Sequence, residues 1–328
     1  MMKAKEFGQA NNVSLTVLVD NKADLIVESS DRVMYFSDKP LLAEHGLSVL
    51  IQLDDSEDKI LWDAGVSKIA LMENIRRMKL DITTIKHIAL SHGHSDHYMA
   101  MTEVLNGLDL LPTGEDWGAD ITINDVKAWF TASRIPLIAH PAAFRERWKQ
   151  KDDGNLVGPF KPPPQEEWRA AGAEIILSEG PYQLKPGCWI TGYIPRNSFE
   201  YSGRSDRRRY RVGSEIKPDD LEDDQAIVIN VKKKGLVVLS GCAHSGIVNT
   251  VEYAKEISGI QKVHAVIGGF HLAQADEDEI NQTVDYFLEI QPQLVVPGHC
   301  TGFKAISRLA QAMPDQFVEG VVGATYLF

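Results

Sequence analysis

Hydrophobic positions spaced two residues apart predict strands in the first third of the chain. Leu15, Val17 and Val19 show this spacing within residues 13–20, and short apolar runs recur further along. A period of two is typical of a strand with one buried face. The predicted early strands are residues 13–20, 47–53, 59–62 and 87–90. An acidic turn at residues 54–58 joins the second strand to the third, so we expect the chain to begin as an antiparallel meander.

Spacings of three and four residues predict helices. Residues 68–78 place Ile69, Met72, Ile75 and Met78 on one face, which we expect to be buried. In the last third, strand, polar turn and helix alternate three times, and each turn contains a histidine. The predicted strands there are residues 235–239, 263–267, 294–296 and a final 321–328, and the predicted helices are residues 247–257, 276–290 and 303–313. Functional sites of open α/β sheets collect where strands end and helices begin.

The middle of the chain has weak periodicity. Residues 150–225 include three successive prolines at 162–164 and an arginine-rich stretch at 204–211. We interpret this segment as an irregular cap inserted into a single domain that spans residues 1–328.

Charge and composition exclude several classes of protein. The chain has 34 basic and 46 acidic side chains, a net charge of −12, which disfavours binding to nucleic acid and anionic membranes. No window approaches 18 consecutive apolar residues, and the N-terminus has no signal-peptide apolar region. The three cysteines are too few for a disulfide framework. We expect a reduced, cytoplasmic protein with a small-molecule substrate; homo-oligomerisation is left open.

Four candidate metal ligands lie within the segment SHGHSDH, residues 91–97. Residues two apart in an extended segment point the same way, so His92 and His94 can bind one ion. A following helix would turn Asp96 and His97 toward a second position. Paired ions suit metal-assisted hydrolysis or phosphoryl chemistry, and Asp96 could also accept a proton from the attacking water.

Three later turns carry further candidates. His299, in PGHCTG, is predicted to be a metal ligand. His244, in SGCAHSG, and His271, in GGFHL, are either ligands or residues that contact the substrate or a ligand, and His271 is a candidate catalytic residue. Cys242 is either a soft metal ligand or a small buried residue. Cys300 follows His299 and is expected to point the other way, into the protein core.

Arginines near the cap suggest how an anionic substrate is bound. Arg196 follows a strand in GYIPR and is predicted to reach the pocket and orient the anionic group. A guanidinium forms paired hydrogen bonds with phosphate oxygens. The later arginines are more typical of a solvated loop: Arg204, Arg207, Arg208, Arg209 and Arg211.

These motifs together resemble those of a known family. SHGHSDH matches the HxHxDH signature of the metallo-β-lactamase superfamily, Asp63-Ala64-Gly65 is similar to its first motif, and PGHC is similar to its last. AEHGLS, GYIPR, LSGCAHSGIVNT and IGGFHL resemble the branch named for 7,8-dihydropterin-6-ylmethyl-4-(β-D-ribofuranosyl)aminobenzene 5′-phosphate synthase. The resemblance implies an α/β fold of the αββα type, two mixed sheets flanked by helices. It makes Asp63 a structural residue near the site, and it implies these ligands: His92, His94, Asp96, His97 and His299.

The chain departs from the superfamily pattern at two turns. The stretch where many members place a further ligand histidine reads GYIPRNSFE, and Cys242 stands where a bridging aspartate is usual. His244 could supply the missing nitrogen, and Cys242 could replace the aspartate. We expect two divalent ions, with zinc favoured by the nitrogen ligands and manganese or iron as alternatives.

Three functions fit this pattern. The first is a metal-dependent hydrolase that acts on a phosphorylated or otherwise anionic small molecule through a metal-activated water. The second is the transferase of the named branch, which joins a dihydropterin methyl diphosphate to a ribofuranosylaminobenzene phosphate. The third is a metal-dependent sensor without turnover, which the intact HxHxDH motif disfavours because a pure binder needs no open metal position. The sequence favours the first.

Overall fold

A computed structural model describes residues 4–108, 122–124, 127, 134–200 and 207–328. Arg204, in the predicted arginine-rich loop, lies outside these residues. The predicted strands and helices of the first and last thirds are confirmed, with boundaries that shift by a few residues.

The described residues contain three sheets and several helices. The strands are β1 (Val13–Val19), β2 (Val33–Tyr35), β3 (Ser48–Leu53), β4 (Lys59–Trp62), β5 (Ile85–Ala89), β6 (Ile135–Ala139), β7 (Arg147–Gln150), β8 (Leu156–Phe160), β9 (Ala173–Leu177), β10 (Tyr182–Lys185), β11 (Cys188–Ile190), β12 (Arg208–Val212), β13 (Glu215–Pro218), β14 (Ala226–Val231), β15 (Gly235–Ser240), β16 (Val263–Gly269), β17 (Leu294–Gly298) and β18 (Ala324–Leu327). The α-helices are α1 (Ala4–Phe7), α2 (Lys68–Arg77), α3 (Ser95–Tyr98), α4 (Met101–Gly107), α5 (Gln165–Ala170), α6 (Ile247–Ser258), α7 (Glu277–Ile290) and α8 (Phe303–Ala312).

The two large sheets pack face to face. The first has the strand order β2-β18-β1-β3-β4-β5-β6-β9, and the second has the order β10-β11-β14-β15-β16-β17. Their facing side chains form one buried cluster, to which the first sheet contributes Leu15, Ile51 and Trp62 and the second contributes Val237 and Ile267. Alternate residues of each strand point into this cluster, as the period-two pattern predicts.

Helices cover the outer faces of both large sheets. Leu71 of α2 and Val104 of α4 are buried in a cluster on the first sheet. Val251 of α6 and Phe287 of α7 are buried in a cluster on the second. The four layers confirm the predicted αββα sandwich.

The buried face of α2 differs from the predicted one. Ile69 is 70% exposed, whereas Ala70, Leu71, Asn74 and Ile75 are buried. The Asn74 amide donates hydrogen bonds to the backbone carbonyls of Leu18 and Leu42, at 2.8 Å each. A helix face that includes a polar anchor cannot be found from apolar spacing alone, and the prediction for Ile69 was wrong.

The segment predicted as irregular contains regular structure. Within residues 147–218, a third sheet forms with the strand order β13-β12-β7-β8. From the same segment, β9 joins the first large sheet, and β10 and β11 join the second. All residues of β8 and β13 are exposed, so backbone pairing rather than burial defines these strands. Hydrophobic periodicity therefore gave no signal for them.

The residues that follow β4, β5, β15, β16 and β17 meet at one edge of the sandwich, as the hydrogen bonds among them show. The predicted candidate ligands lie at this edge. Within the described parts of the chain, no helix is long and apolar enough to cross a lipid bilayer.

Candidate metal centre

The turn from β5 into α3 brings the first candidate ligands together. His92 is fully buried, and its Nε2 lies 3.0 Å from Nδ1 of His94. Asp96 and His97 belong to the short helix α3, which turns them toward the same space; the carboxylate Oδ2 of Asp96 is 3.6 Å from Nε2 of His97. The predicted arrangement, an extended pair followed by a helical pair, is the one observed.

Asp63 orients His97. It follows β4 with a left-handed backbone (φ 58°) and is completely buried. Its Oδ2 lies 2.7 Å from Nδ1 of His97, and its Oδ1 accepts a hydrogen bond from the Ser91 backbone amide at 2.7 Å. A carboxylate on one ring nitrogen leaves the other nitrogen, Nε2, directed at the cluster, which is the usual support for a metal-binding histidine. Asp63, predicted only as a structural residue near the site, thus supports His97.

Two loops of the second sheet supply the other side of the cluster. After β15, Sγ of Cys242 lies 3.3 Å from Nε2 of His97, and Nε2 of His244 lies 3.2 Å from Nδ1 of His94. After β17, Nε2 of His299 lies 3.4 Å from Oδ2 of Asp96. Residues far apart in the chain therefore present nitrogen, sulfur and oxygen atoms to one small volume.

The donor atoms form two neighbouring groups of candidate metal ligands. Asp96, His97, Cys242 and His299 form one group whose ligand atoms lie within 4.8 Å of one another, and His92, Cys242 and His244 form a second. Neither ring nitrogen of the buried His299 makes a hydrogen bond with a described residue. Imidazole, thiolate and carboxylate donors suit zinc, and Cys242 belongs to both groups.

Burial keeps most of these imidazoles in the neutral form that binds metal. It lowers the pKa of His94 to about 3, helped by the charges of Arg147 and Arg208, and it lowers the pKa values of His92 and His244 as well. His97 behaves differently. Burial opposes its protonation, but the carboxylates of Asp63 and Asp96 raise its pKa to about 9. A metal ion must therefore displace a proton from His97.

His271 and Cys300 lie beside the cluster. The His271 ring centre is 4.1 Å from that of His244, and its ligand atom groups with the sulfurs of Cys242 and Cys300 within 4.8 Å. The prediction that Cys300 points away into the core was wrong. His299 has a left-handed backbone (φ 46°) and begins a short 3-10 helix, so the alternation of a strand no longer applies at Cys300.

The side chain of Arg196 contacts residues 220–221, which line a small recess beside His244 and His271. Its guanidinium donates to the backbone carbonyls of Asp220 and Leu221. It is not among the described residues that line the large cavity next to the candidate ligands. The predicted role of Arg196 in orienting the anionic group stays a prediction.

That cavity has a volume of about 810 Å³ and opens beside His94 and Asp96. Its lining combines aromatic rings with an excess of positive charge over its two acidic residues, Asp96 and Glu167. The aromatic lining residues are Tyr98, Trp148, Phe160 and Trp168. The basic lining residues are Arg145, Arg147, Lys149, Lys161, Arg207 and Arg208. The whole chain has a net charge of −12, so a cavity lined mainly by basic residues differs from the rest of the molecule.

Arg208 is the basic side chain best placed between the cavity and the ligands. It is half-buried and lines both the cavity and a small recess beside His244 and His271. Within the described parts of the chain, it makes no ion pair at 4.0 Å or less, whereas Arg145 pairs with Glu222 at 2.6 Å. The expectation of a solvated loop was wrong for Arg208.

Sequence reasoning missed a buried network behind the histidine turn. Arg147 of β7 pairs with Asp219 at 2.7 Å and with Asp223 at 2.6 Å. The other oxygen of Asp223 accepts a hydrogen bond from the Gly93 backbone amide at 2.7 Å. A Cβ atom on Gly93 would lie 2.0 Å from the Ala143 carbonyl oxygen, so only glycine fits there. These partners are far apart in sequence, and no local motif indicates them.

His45 is a second missed residue. Its Nε2 lies 3.4 Å from Oδ2 of Asp96, and its ring stacks on that of His299 with centres 5.0 Å apart. The segment AEHGLS contributed to the family resemblance, and that was the available signal for His45.

Comparisons with known proteins agree with this fold. The model of the metallo-beta-lactamase superfamily matches residues 42–255. The chain is 29% identical, over 94% of its length and 95% of the relative's, to the 7,8-dihydropterin-6-methyl-4-(beta-D-ribofuranosyl)-aminobenzene-5'-phosphate synthase of Methanocaldococcus jannaschii. It is 33% identical, over 87% of its length and 94% of the relative's, to an uncharacterized protein of the same organism. Among solved structures, Tm1679, described as a metal-dependent hydrolase of the beta-lactamase superfamily, superposes with a TM-score of 0.68 at 21% identity, covering 95% of this chain and 98% of that one.

Proposed function

Because the chain belongs to the metallo-β-lactamase superfamily, we propose that it is a metal-dependent enzyme that hydrolyses a phosphorylated or otherwise anionic small molecule. The observation that carries the proposal is the basic cavity that opens directly beside the candidate ligands.

Each part of the site has a role in such a reaction. Bound divalent ions would supply Lewis-acid activation of water and of an anionic oxygen. Burial opposes ionisation of Asp96, but His97 and His299 hold its pKa well below the usual range, so it is a carboxylate at neutral pH, the form that binds a metal ion. Arg208 can orient the anionic group through paired hydrogen bonds. Trp148 and Trp168 can pack against the organic part of the substrate and exclude water.

The synthase reaction is the second candidate. It is favoured by the identity to the named synthase along nearly the whole chain. In that reaction an arylamine nitrogen forms a bond to the pterin methyl carbon, the carbon–oxygen bond to diphosphate breaks, and the amine loses a proton. The aromatic wall of the cavity suits flat rings, and the basic residues suit both phosphate groups.

Metal-loaded protein separates the two candidates. Turnover of phosphodiesters, phosphomonoesters or lactones in water supports the hydrolase, whereas product that forms only with an arylamine and a pterin diphosphate supports the synthase. For an accepted phosphorylated substrate, Arg208→Ala should raise KM by roughly 10- to 100-fold, and much less for a neutral analogue. Arg209→Ala is the matched control, since Arg209 is the neighbour in β12 and does not line the cavity. Equal effects of the two variants would remove Arg208 from the proposal.

A further inference from the structure

Two thiols meet at the edge of the candidate metal centre. Cys242 follows β15 and Cys300 follows β17, on either side of the end of β16. Their sulfurs and a ligand nitrogen of His271 all lie within 4.8 Å of one another. The Cys300 thiol also donates a hydrogen bond to the Cys242 carbonyl oxygen at 3.4 Å. Both cysteines are free.

Gly269, at the end of β16, leaves the space that this pair occupies. A Cβ atom there would lie 2.7 Å from Sγ of Cys300 and 3.2 Å from Cα of Cys242. Any side chain at this position would push the two cysteines apart. The third cysteine, Cys188, is instead completely buried in the core between the large sheets.

The two thiols differ in access and in role. Cys300 is partly exposed, whereas Cys242 is buried. Cys242 contributes its sulfur to both candidate ligand groups, and Cys300 contributes to neither of these two. An oxidant would therefore reach Cys300 first, and a bond from Cys300 to Cys242 would take a ligand from both ion positions at once.

We propose that Cys242 and Cys300 form an oxidisable pair whose disulfide releases metal from the centre. The oxidant is a hydroperoxide. The Cys300 thiolate attacks the peroxide, its sulfur becomes a sulfenic acid and the O–O bond breaks with loss of hydroxide. The Cys242 thiolate then attacks that sulfur, the S–S bond forms and a second hydroxide leaves. In balance, two thiols and one hydrogen peroxide give one disulfide and two waters.

The proposal goes beyond the proposed function, and its test uses no substrate. Metal-loaded protein is treated with hydrogen peroxide, its free thiols are counted, and its peptides are mapped under non-reducing conditions. We expect the three thiols to fall to one, a Cys242–Cys300 peptide to appear, and Cys188 to remain a thiol. Released metal, followed with a chromogenic chelator, should rise with the disulfide, and dithiothreitol with added metal should reverse both changes.

Two variants make the result specific. Cys300→Ser should retain its metal under the same peroxide treatment, whereas Cys188→Ser should lose it as the wild type does. If Cys300→Ser does not fold, the presence or absence of the Cys242–Cys300 peptide in the wild type still tests the proposal. Sulfinic acid at Cys300 without a Cys242–Cys300 peptide, or equal metal release from Cys300→Ser and wild type, would overturn the proposal. Failure of the substrate panel would leave this result unchanged, since thiol and metal counts do not depend on turnover.

Discussion

The two sides of the candidate centre are built in different ways. On one side, His92, His94, Asp96 and His97 come from a single turn, residues 91–97, which we call the histidine turn. Buried carboxylates of Asp63 and Asp223 hold this turn through its side chains and backbone. On the other side, three separate loops after β15, β16 and β17 supply candidate ligands, and we call these the cysteine loops: Cys242 and His244, His271, and His299.

The cysteine loops combine polar contacts with unusual backbone conformations. Carboxylate oxygens of Asp224 and Asp20 accept the backbone amides of Ser245 and His299, at 2.8 Å each. Ala243, His271 and His299 all have left-handed backbones, with φ of 55°, 52° and 46°. Non-glycine residues adopt this conformation at a cost and usually only where the surroundings impose it. The comparison teaches that the candidate ligands of one side share a single contiguous turn, whereas those of the other depend on separate loops at the ends of neighbouring parallel strands. Substitutions should therefore affect the two sides in different ways.

The strongest test removes ligands of the histidine turn. His94→Ala and Asp96→Ala should each reduce turnover by about 10³-fold or more, because the site loses a metal ligand. Steady-state kinetics with an accepted substrate measures the effect, and circular dichroism checks that the chain stays folded. His87→Ala, in β5 just before the turn, is the control and should retain activity. A near-wild-type rate in either ligand variant would disprove its assigned role.

The next test removes the shared ligand of the cysteine loops. Cys242→Ser should lower metal affinity by more than the roughly 100-fold typical of residues that only support a ligand. Cobalt-substituted wild type should show a thiolate-to-cobalt absorption band, and this variant should lack it. Cys188→Ser should retain the band, because Cys188 lies in the core. Cys242→Asp should restore metal binding but show no thiolate-to-cobalt band. A band that persists in Cys242→Ser would show that Cys242 is not a ligand.

A third test separates positioning from stability on the histidine side. Asp223→Asn and Asp219→Asn each break one ion pair of Arg147, and both should destabilise the fold by about 3 kcal/mol. Of the two carboxylates, Asp223 is the one that accepts the Gly93 amide. Asp223→Asn should therefore also weaken metal binding by roughly 10- to 100-fold. Chelator competition measures affinity and urea unfolding measures stability. Equal affinities in the two variants would mean that the Gly93 contact does not position the turn.

The smallest expected effect concerns Glu200. Its carboxylate contacts the start of α6, the helix that follows the loop with Cys242 and His244. Oε2 of Glu200 accepts the backbone amides of Val248 and Asn249 at the start of α6. Burial raises its pKa from 4.5 to about 7. Between these values the folded state binds more protons than the unfolded state, so this group's contribution to stability falls as pH rises.

Glu200→Gln should remove that pH dependence. As the pH rises from about 5 to about 8, the difference in unfolding free energy between variant and wild type should shift in the variant's favour by on the order of 2 kcal/mol. Urea unfolding of metal-loaded protein at both pH values measures the difference, with the exposed Glu57→Gln as control. If the unfolding free energies of variant and wild type differ by the same amount at both pH values, Glu200 does not titrate between them.

The sequence predicts the parts of this protein that depend on local pattern. The histidine turn is contiguous, and its ligands follow from the alternation of a strand and the start of a helix. The core strands follow from buried alternating residues. By contrast, Asp223 reaches Gly93 across 130 positions of sequence. The exposed strand β8 has apolar residues but not the alternation of a half-buried strand. Cys300 turns toward the site because of the backbone at His299.

The choice between Arg196 and Arg208 shows the same limit. Both lie in the segment that looked irregular, and both are arginines near the site. Which one faces the cavity depends on the pairing of β12 with β7, in which Arg208 lies opposite Lys149. That pairing is a long-range property, and arginine content alone cannot reveal it.

Arg147 gives the site a thermodynamic consequence. It lines the cavity, and it also holds Asp223, the carboxylate that accepts the Gly93 amide of the histidine turn. An anion in the cavity that binds the Arg147 guanidinium would weaken the ion pair between Arg147 and Asp223. The support for Gly93 would weaken with it, and the positions of His92 and His94 would change. Substrate and metal would then share a coupling free energy, and linkage requires that each alters the other's affinity by the same factor.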